Sequence, residues 1–234
     1  MVYRLVQVRR TVILHLSASH KTKSHPEFRK KAFGEYDRVR ILMDSGDLKG
    51  RYYAAKDARQ AVIWLSGERG GWDTPGRDLY PRLSDSLQSV SIASLHVRYR
   101  NPNDLEMCVA DAVAGGQFLQ HQRIKQFALV GHSFGAAVAV QSAALEPLTR
   151  TVVLLGTHNQ GVEPVIDLPD QCSLLAVHGM ADHTASPSCS KYVYSLAHDP
   201  KRIVFYGAAD HHFKAVAREL YHLVYGWIRG ELSV

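Results

Sequence analysis

A chain of 234 residues that is 46% hydrophobic can bury one sizeable core, and no apolar run approaches the roughly 20 residues that a bilayer crossing needs, so no membrane span is expected. Its three cysteines, Cys108, Cys172 and Cys189, are odd in number and lack CxxC spacing, which speaks against a disulfide framework or a zinc site and for a reducing, cytoplasmic setting. The formal net charge of +6 stems from residues 1–40, with ten Lys/Arg against three Asp/Glu while the remainder holds 18 against 19; with no basic stripe on a predicted helix, no nucleic-acid partner is expected.

Residues 1–36 accordingly read as a basic N-terminal extension. Its most apolar stretch, Thr11–Leu16, follows Arg9 and Arg10 but contains His15 and leads into a polar run without a convincing cleavage site, so a signal peptide is not indicated. From Asp37 to the end, residues 37–234, apolar runs of strand length alternate with segments of helical period, the pattern of a parallel sheet with crossover helices on both faces. The strand-like runs are Arg38–Met43, Arg51–Ala55, Ala61–Leu65, Ser91–Val97, Phe127–Val130, Thr151–Leu155, Leu174–Val177 and Ile203–Tyr206. The first two flank Asp44-Ser45-Gly46-Asp47, a turn composition, and so form an antiparallel hairpin at the start of a mostly parallel eight-stranded sheet. One helix is expected to begin near Asn103, with Glu106 three positions on, and to continue through Val109, Val113 and Leu119. The final helix is marked by Phe213, Val216, Ala217, Leu220, Leu223, Val224, Trp227 and Ile228, which recur at three- and four-residue intervals and form one apolar stripe.

Directly after the run Phe127–Val130 stands Gly131-His132-Ser133-Phe134-Gly135, followed by the small-residue helix start Ala136-Ala137-Val138-Ala139-Val140. This is a G-x-S-x-G turn between strand and helix, the setting in which a serine serves as a nucleophile. The chain must reverse within a few residues, so a Cβ at position 131 or 135 would collide with neighbouring backbone, and Ser133 is left in a strained conformation. The helix that follows aims its N-terminal amides at the place where an oxyanion would develop.

A serine hydroxyl needs a base to take its proton, and the base needs a carboxylate to orient it. The run Leu174–Val177 leads into His178-Gly179-Met180-Ala181-Asp182, which puts Asp182 past the carboxyl end of a strand, where open α/β sheets build their sites. Asp167 and Asp170 are competitors, but Pro169 and polar surroundings fit a solvated loop. The run Ile203–Tyr206 leads into Gly207-Ala208-Ala209-Asp210-His211-His212-Phe213, with two adjacent histidines of which one can face the serine.

The segments Arg98–Pro102, Gly131–Gly135, His178–Asp182 and Gly207–Phe213, with Ser, Asp and His in that chain order, resemble compact, lidless bacterial members of the α/β-hydrolase superfamily, the dienelactone-hydrolase-like group, over about residues 37–230. The resemblance implies an α/β-hydrolase fold and a serine hydrolase that needs no metal and no cofactor. In that group the catalytic histidine is followed one residue later by phenylalanine, which selects His211 over His212. The namesake of the group uses a cysteine nucleophile, whereas this elbow carries serine, so dienelactone chemistry is not implied. One oxyanion donor is expected to be the backbone N–H of Phe134. Alignment with the His-Gly lead of many relatives makes the backbone N–H of Glu68, in Ser66-Gly67-Glu68-Arg69-Gly70-Gly71-Trp72, the second.

About 18 residues separate Leu155 from the next strand, too few for the helical cap that many lipases insert there, so no cap domain is expected. The site should be open, bordered by Trp72, Phe134 and the loop His158–Val162, and suited to small or short-acyl ester substrates. A thioesterase, an acyltransferase or a peptidase would use the same three residues. A non-catalytic binding protein on a hydrolase scaffold is the alternative of another class. Composition and spacing do not address the oligomeric state.

Overall fold

Each of the eight expected runs forms a strand in the computed structural model, which describes residues 13–15, 35–43 and 46–233. In chain order they are β2 (Asp37–Leu42), β3 (Leu48–Tyr53), β4 (Gln60–Leu65), β5 (Ile92–Arg98), β6 (Gln126–His132), β7 (Thr149–Leu155), β8 (Ser173–Gly179) and β9 (Lys201–Tyr206). A ninth strand, β1 (Ile13–His15), pairs antiparallel with β2 and comes from the segment read as an extension. Most of that segment lies outside the described residues, as do Asp44 and Ser45 of the hairpin turn, which closes with Gly46 N donating to Met43 O at 3.0 Å.

The sheet order is β1-β2-β3-β5-β4-β6-β7-β8-β9. The β2–β3 and β3–β5 pairings are antiparallel, and every pairing from β5 through to β9 is parallel. Among the described residues this is the α/β-hydrolase arrangement without a cap domain. The connection from β7 to β8 contains a single short 3-10 turn, Glu163–Asp167, and it is pinned to the body by buried Val162 and Val165 and by Gln141 Nε2, which donates to Gly161 O at 2.8 Å.

The central strands read as continuous apolar runs because both of their faces are covered. Val62, Trp64, Val130, Val153 and Val177 pack under α1 (Pro75–Gln88) and α5 (Ala217–Leu232). Ile63, Leu65, Leu129, Leu154 and Ala176 pack under α2 (Leu105–His121), α3 (Phe134–Leu145) and α4 (Pro187–Leu196). Two helix starts differ from expectation. Asp104, not Asn103, caps α2: its backbone is extended and its carboxylate accepts from Met107 N at 3.0 Å, satisfying one of the orphan amides of the first turn. Helix α5 begins at Ala217, since Phe213 sits at φ +56° in the turn before it, buried beside the site. Leu220, Val224 and Ile228, each four residues on from the last, form its fully buried stripe. Among the described residues no helix is long and apolar enough to cross a membrane.

Candidate active site

Strand β6 delivers the chain to Ser133 and α3 takes it away one residue later, which forces Ser133 to φ +56° and ψ −120°. For a residue with a side chain this left-handed backbone is strained, and it persists because its surroundings fix it. The glycines allow the turn. A Cβ on Gly131 would overlap the carbonyl of Gly135, and one on Gly135 would stand 2.5 Å from the carbonyl oxygen of Leu65. Both collisions are with backbone, so no side-chain movement relieves them.

The three sequence-predicted residues Ser133, Asp182 and His211 come together at the carboxyl end of the parallel strands. His211 Nε2 lies 2.9 Å from Ser133 Oγ, and His211 Nδ1 donates to Asp182 Oδ2 at 2.7 Å. With Nδ1 carrying the hydrogen, Nε2 is left as an acceptor for the serine hydroxyl. Asp182 Oδ1 accepts from the amides of Thr184 and Ala185 at 2.8 and 2.9 Å. Burial works to raise the Asp182 pKa, but the Ala185 amide, the His211 ring and the Thr184 amide together outweigh it and hold the carboxyl below its usual range. His212 points to solvent.

The loop that carries His211 is tied down on several sides. Gly76 N donates to His212 O at 2.8 Å, Ala181 N to Ala209 O at 3.0 Å, and the Asp210 carboxylate accepts from His212 N at 3.1 Å. Two further histidines brace the site that sequence reasoning gave no role. His132 Nε2 donates to the backbone carbonyl of His211 at 2.8 Å, and burial, the largest influence, lowers its pKa to about 4, so its ring is neutral. His178, fully buried, donates through Nε2 to Ala185 O at 3.0 Å with Asp182 Oδ2 at 3.3 Å, while its Nδ1 accepts from Ser190 Oγ at 2.6 Å. Their positions, directly before the serine and four residues before the aspartate, are the available sequence signal.

Phe134 opens α3 directly after Ser133, so its amide has no intrahelical acceptor. Opposite it runs the loop after β4. A Cβ on Gly67 would lie 3.6 Å from Ser133 Cβ, which places the Gly67-Glu68 peptide next to the nucleophile while the Glu68 side chain is exposed. The loop is held by Ser66 Oγ donating to Asp73 O at 2.9 Å and by Tyr99 Oη donating to Ser66 O at 3.2 Å.

His158 Nε2 reaches Ser133 Oγ at 3.3 Å. Because the serine hydrogen is directed at His211, His158 meets Oγ as a donor. Burial and the neighbouring His211 lower its pKa, against Asp182 and Glu68, which raise it. Trp72 is not brought into this cluster. Its indole packs edge-on against His96 at 5.2 Å and lies under the Arg51 guanidinium at 4.2 Å, on the sheet face away from α2 and α3.

Residues 76–225 of the chain match the dienelactone hydrolase family. The chain belongs to that family. As a member of it the protein is a hydrolase acting on small molecules, with the α/β-hydrolase fold. Solved structures of the same fold include a dienelactone hydrolase from Anabaena variabilis, with a TM-score of 0.71 and 18% identity over 85% of this chain and 99% of that one. Est1E from Butyrivibrio proteoclasticus has a TM-score of 0.72 and 12% identity over 84% and 99% of the two chains. The esterase domain of a Rhodothermus marinus protein has a TM-score of 0.67 and 17% identity, again over 84% and 99%. No curated protein matches the chain in sequence.

Proposed function

We propose that this family member is a serine carboxylesterase that cleaves small or short-acyl esters through an acyl-enzyme on Ser133. The observation that carries the reading is the His211 ring, bridging Ser133 Oγ at 2.9 Å and Asp182 Oδ2 at 2.7 Å from opposite nitrogens. In this mechanism Ser133 Oγ attacks the ester carbonyl carbon as its proton passes to His211 Nε2, and Asp182 stabilises the resulting imidazolium. The carbonyl oxygen becomes an oxyanion that the amides of Phe134 and Glu68 stabilise, and each such donor is worth about 3 kcal/mol. Collapse of the tetrahedral species breaks the ester C–O bond and returns the proton from Nε2 to the leaving alkoxide. Water, deprotonated by the same nitrogen, then releases the acid and restores Ser133.

His158, already a donor to Ser133 Oγ, borders the substrate and gives its hydrogen to an ester oxygen once the nucleophile has moved. The complete set of nucleophile, base and acid at bonding distance disfavours a merely binding role for the scaffold. Three free thiols, two of them buried, are in keeping with a reducing cytoplasmic compartment.

The test is labelling with a fluorophosphonate probe alongside hydrolysis of p-nitrophenyl acetate. The wild-type chain is expected to be labelled once, at Ser133, and Ser133→Ala to lose both the label and at least a thousandfold in kcat/KM. A folded wild-type chain that takes no label and turns over no ester overturns the reading.

A further inference from the structure

Beyond the catalytic cluster, five cationic side chains share one patch of the sheet. Arg38 and Arg40 of β2, Lys49 and Arg51 of β3 and Arg98 of β5 line a cavity of about 400 Å³ together with Tyr36 and Trp72, and no carboxylate is among the lining residues. The register puts Arg38 directly opposite Arg51, Arg40 opposite Lys49, and Lys49 opposite Arg98. Like charges directly opposite one another in a sheet destabilise it. Among the described residues one acidic partner meets the five, Asp47, at 3.3 Å from Arg40.

Two ordinary explanations for such a patch fail. Positive charge on an edge strand deters unwanted pairing, but β3 and β5 have hydrogen-bonded neighbours on both sides. Nor does a general basic surplus account for Lys49, Arg51 and Arg98, since the chain beyond residue 40 in which they lie holds 18 Lys/Arg against 19 Asp/Glu. The patch is also partly rigid: the Arg51 guanidinium lies 4.2 Å from the Trp72 ring centre and 5.0 Å from that of Tyr36.

We propose that this concavity is a binding site for a compact anion bearing two or more phosphate groups. Strand spacing of about 4.8 Å and a two-residue advance of about 7 Å set the cations on a grid of phosphate dimensions. Arginine forks match phosphate oxygens in pairs, and a bound polyanion would relieve the cross-strand repulsion that the empty ladder carries. The cavity is at the small end of ligand sites, which favours a compact anion over an extended strand.

The experiment is calorimetric titration of the full chain with inorganic triphosphate at low and high salt, with ester hydrolysis as a check of folding. Saturable one-to-one binding that weakens with salt is expected, and Lys49→Gln/Arg98→Gln should weaken it at least about tenfold. Without anion that double variant should unfold at an equal or higher urea concentration, because a repulsive pair is gone. Arg38→Gln/Lys49→Gln provides a second removal of charge should the first fail to fold. Lys214→Gln/Arg218→Gln, on exposed residues elsewhere, should leave binding within about twofold. No saturable binding overturns the proposal, as does an equal loss in the control variant, which would mean diffuse attraction to a basic chain. Binding of single-stranded DNA or phosphatidylserine vesicles without binding of triphosphate overturns it too, in favour of a macromolecular surface.

Discussion

His132 Nε2 donates to the carbonyl oxygen of His211 across 2.8 Å, joining the residue before Ser133 to the residue whose ring faces Ser133. The nucleophile elbow and the histidine loop are therefore a single hydrogen-bonded unit, and the His132 ring, tilted against that of His211 with centroids 4.9 Å apart, helps to set the distance between Oγ and the His211 ring.

Replacing that side chain should reveal the coupling. His132→Leu leaves a buried carbonyl without its donor, which costs about 1–3 kcal/mol. Esterase kcat is expected to fall roughly ten- to a hundredfold with KM little changed, and His132→Asn to recover part of the loss. Equal kcat in His132→Leu and wild type, measured on p-nitrophenyl acetate, would show that the loop holds its place without this bond.

The elbow glycines should tolerate no side chain. Gly131→Ala and Gly135→Ala each drive a Cβ into fixed backbone, and each is expected to destabilise the fold by about 3 kcal/mol or more in urea denaturation. Gly207→Ala is the control, since a Cβ there meets nothing within 4 Å. A stable, active Gly135→Ala would contradict the packing described for the elbow.

Two histidines address one serine oxygen, and their variants should separate base from substrate contact. His211→Ala is expected to reduce kcat/KM by three orders of magnitude or more, whereas His158→Ala should cost about tenfold, because it removes one hydrogen bond to the bound ester. The opposite ranking would transfer the base to His158. His212→Ala, on the exposed ring, should be near wild type.

Buried neutral histidines should make the fold sensitive to mild acid. The pKa of His132 is lowered to about 4 and that of His96 to about 3, both chiefly by burial, against an ordinary 6.5. Below pH 6.5 the unfolded chain binds protons that the fold refuses, so stability present above that pH is lost as pH falls toward 4. His132 alone accounts for on the order of 3 kcal/mol of this. Asp182, held below its usual range, loses its contribution at lower pH, below about 3.8. Urea midpoints measured at pH 7, 5 and 4 should fall steadily, and a flat series would mean that these rings take up protons in the fold.

Without a cap, acyl length should bring little reward. In a series of p-nitrophenyl esters kept below aggregation, kcat/KM is expected to peak between about two and six carbons, since an open shelf stops adding burial at about 0.8 kcal/mol per methylene. Efficiency still climbing at twelve carbons would show that the loop from Gly156 to Cys172 builds a lipid groove.

What was legible in the sequence was local, or set by position relative to a strand end. Eight strands, the α5 stripe and the Ser133 elbow follow from periodicity and from the glycine spacing of a strand-to-helix turn, while the places after β8 and β9 point to Asp182 and to the pair His211 and His212, of which the family resemblance selects His211. Contacts across the fold decided the rest. His158 reaching Ser133 and His132 reaching His211 span 25 and 79 residues. The cationic ladder exists because β3 pairs with β2 on one side and with β5, not its sequence neighbour β4, on the other. The same crossing turns Trp72 toward Arg51 instead of Ser133, and an isolated strand such as β1 has meaning only against the partner that supplies its hydrogen bonds. Hydrophobic period specifies which face of an element is buried; sheet order and register specify which distant residues share that face, and no local pattern encodes them.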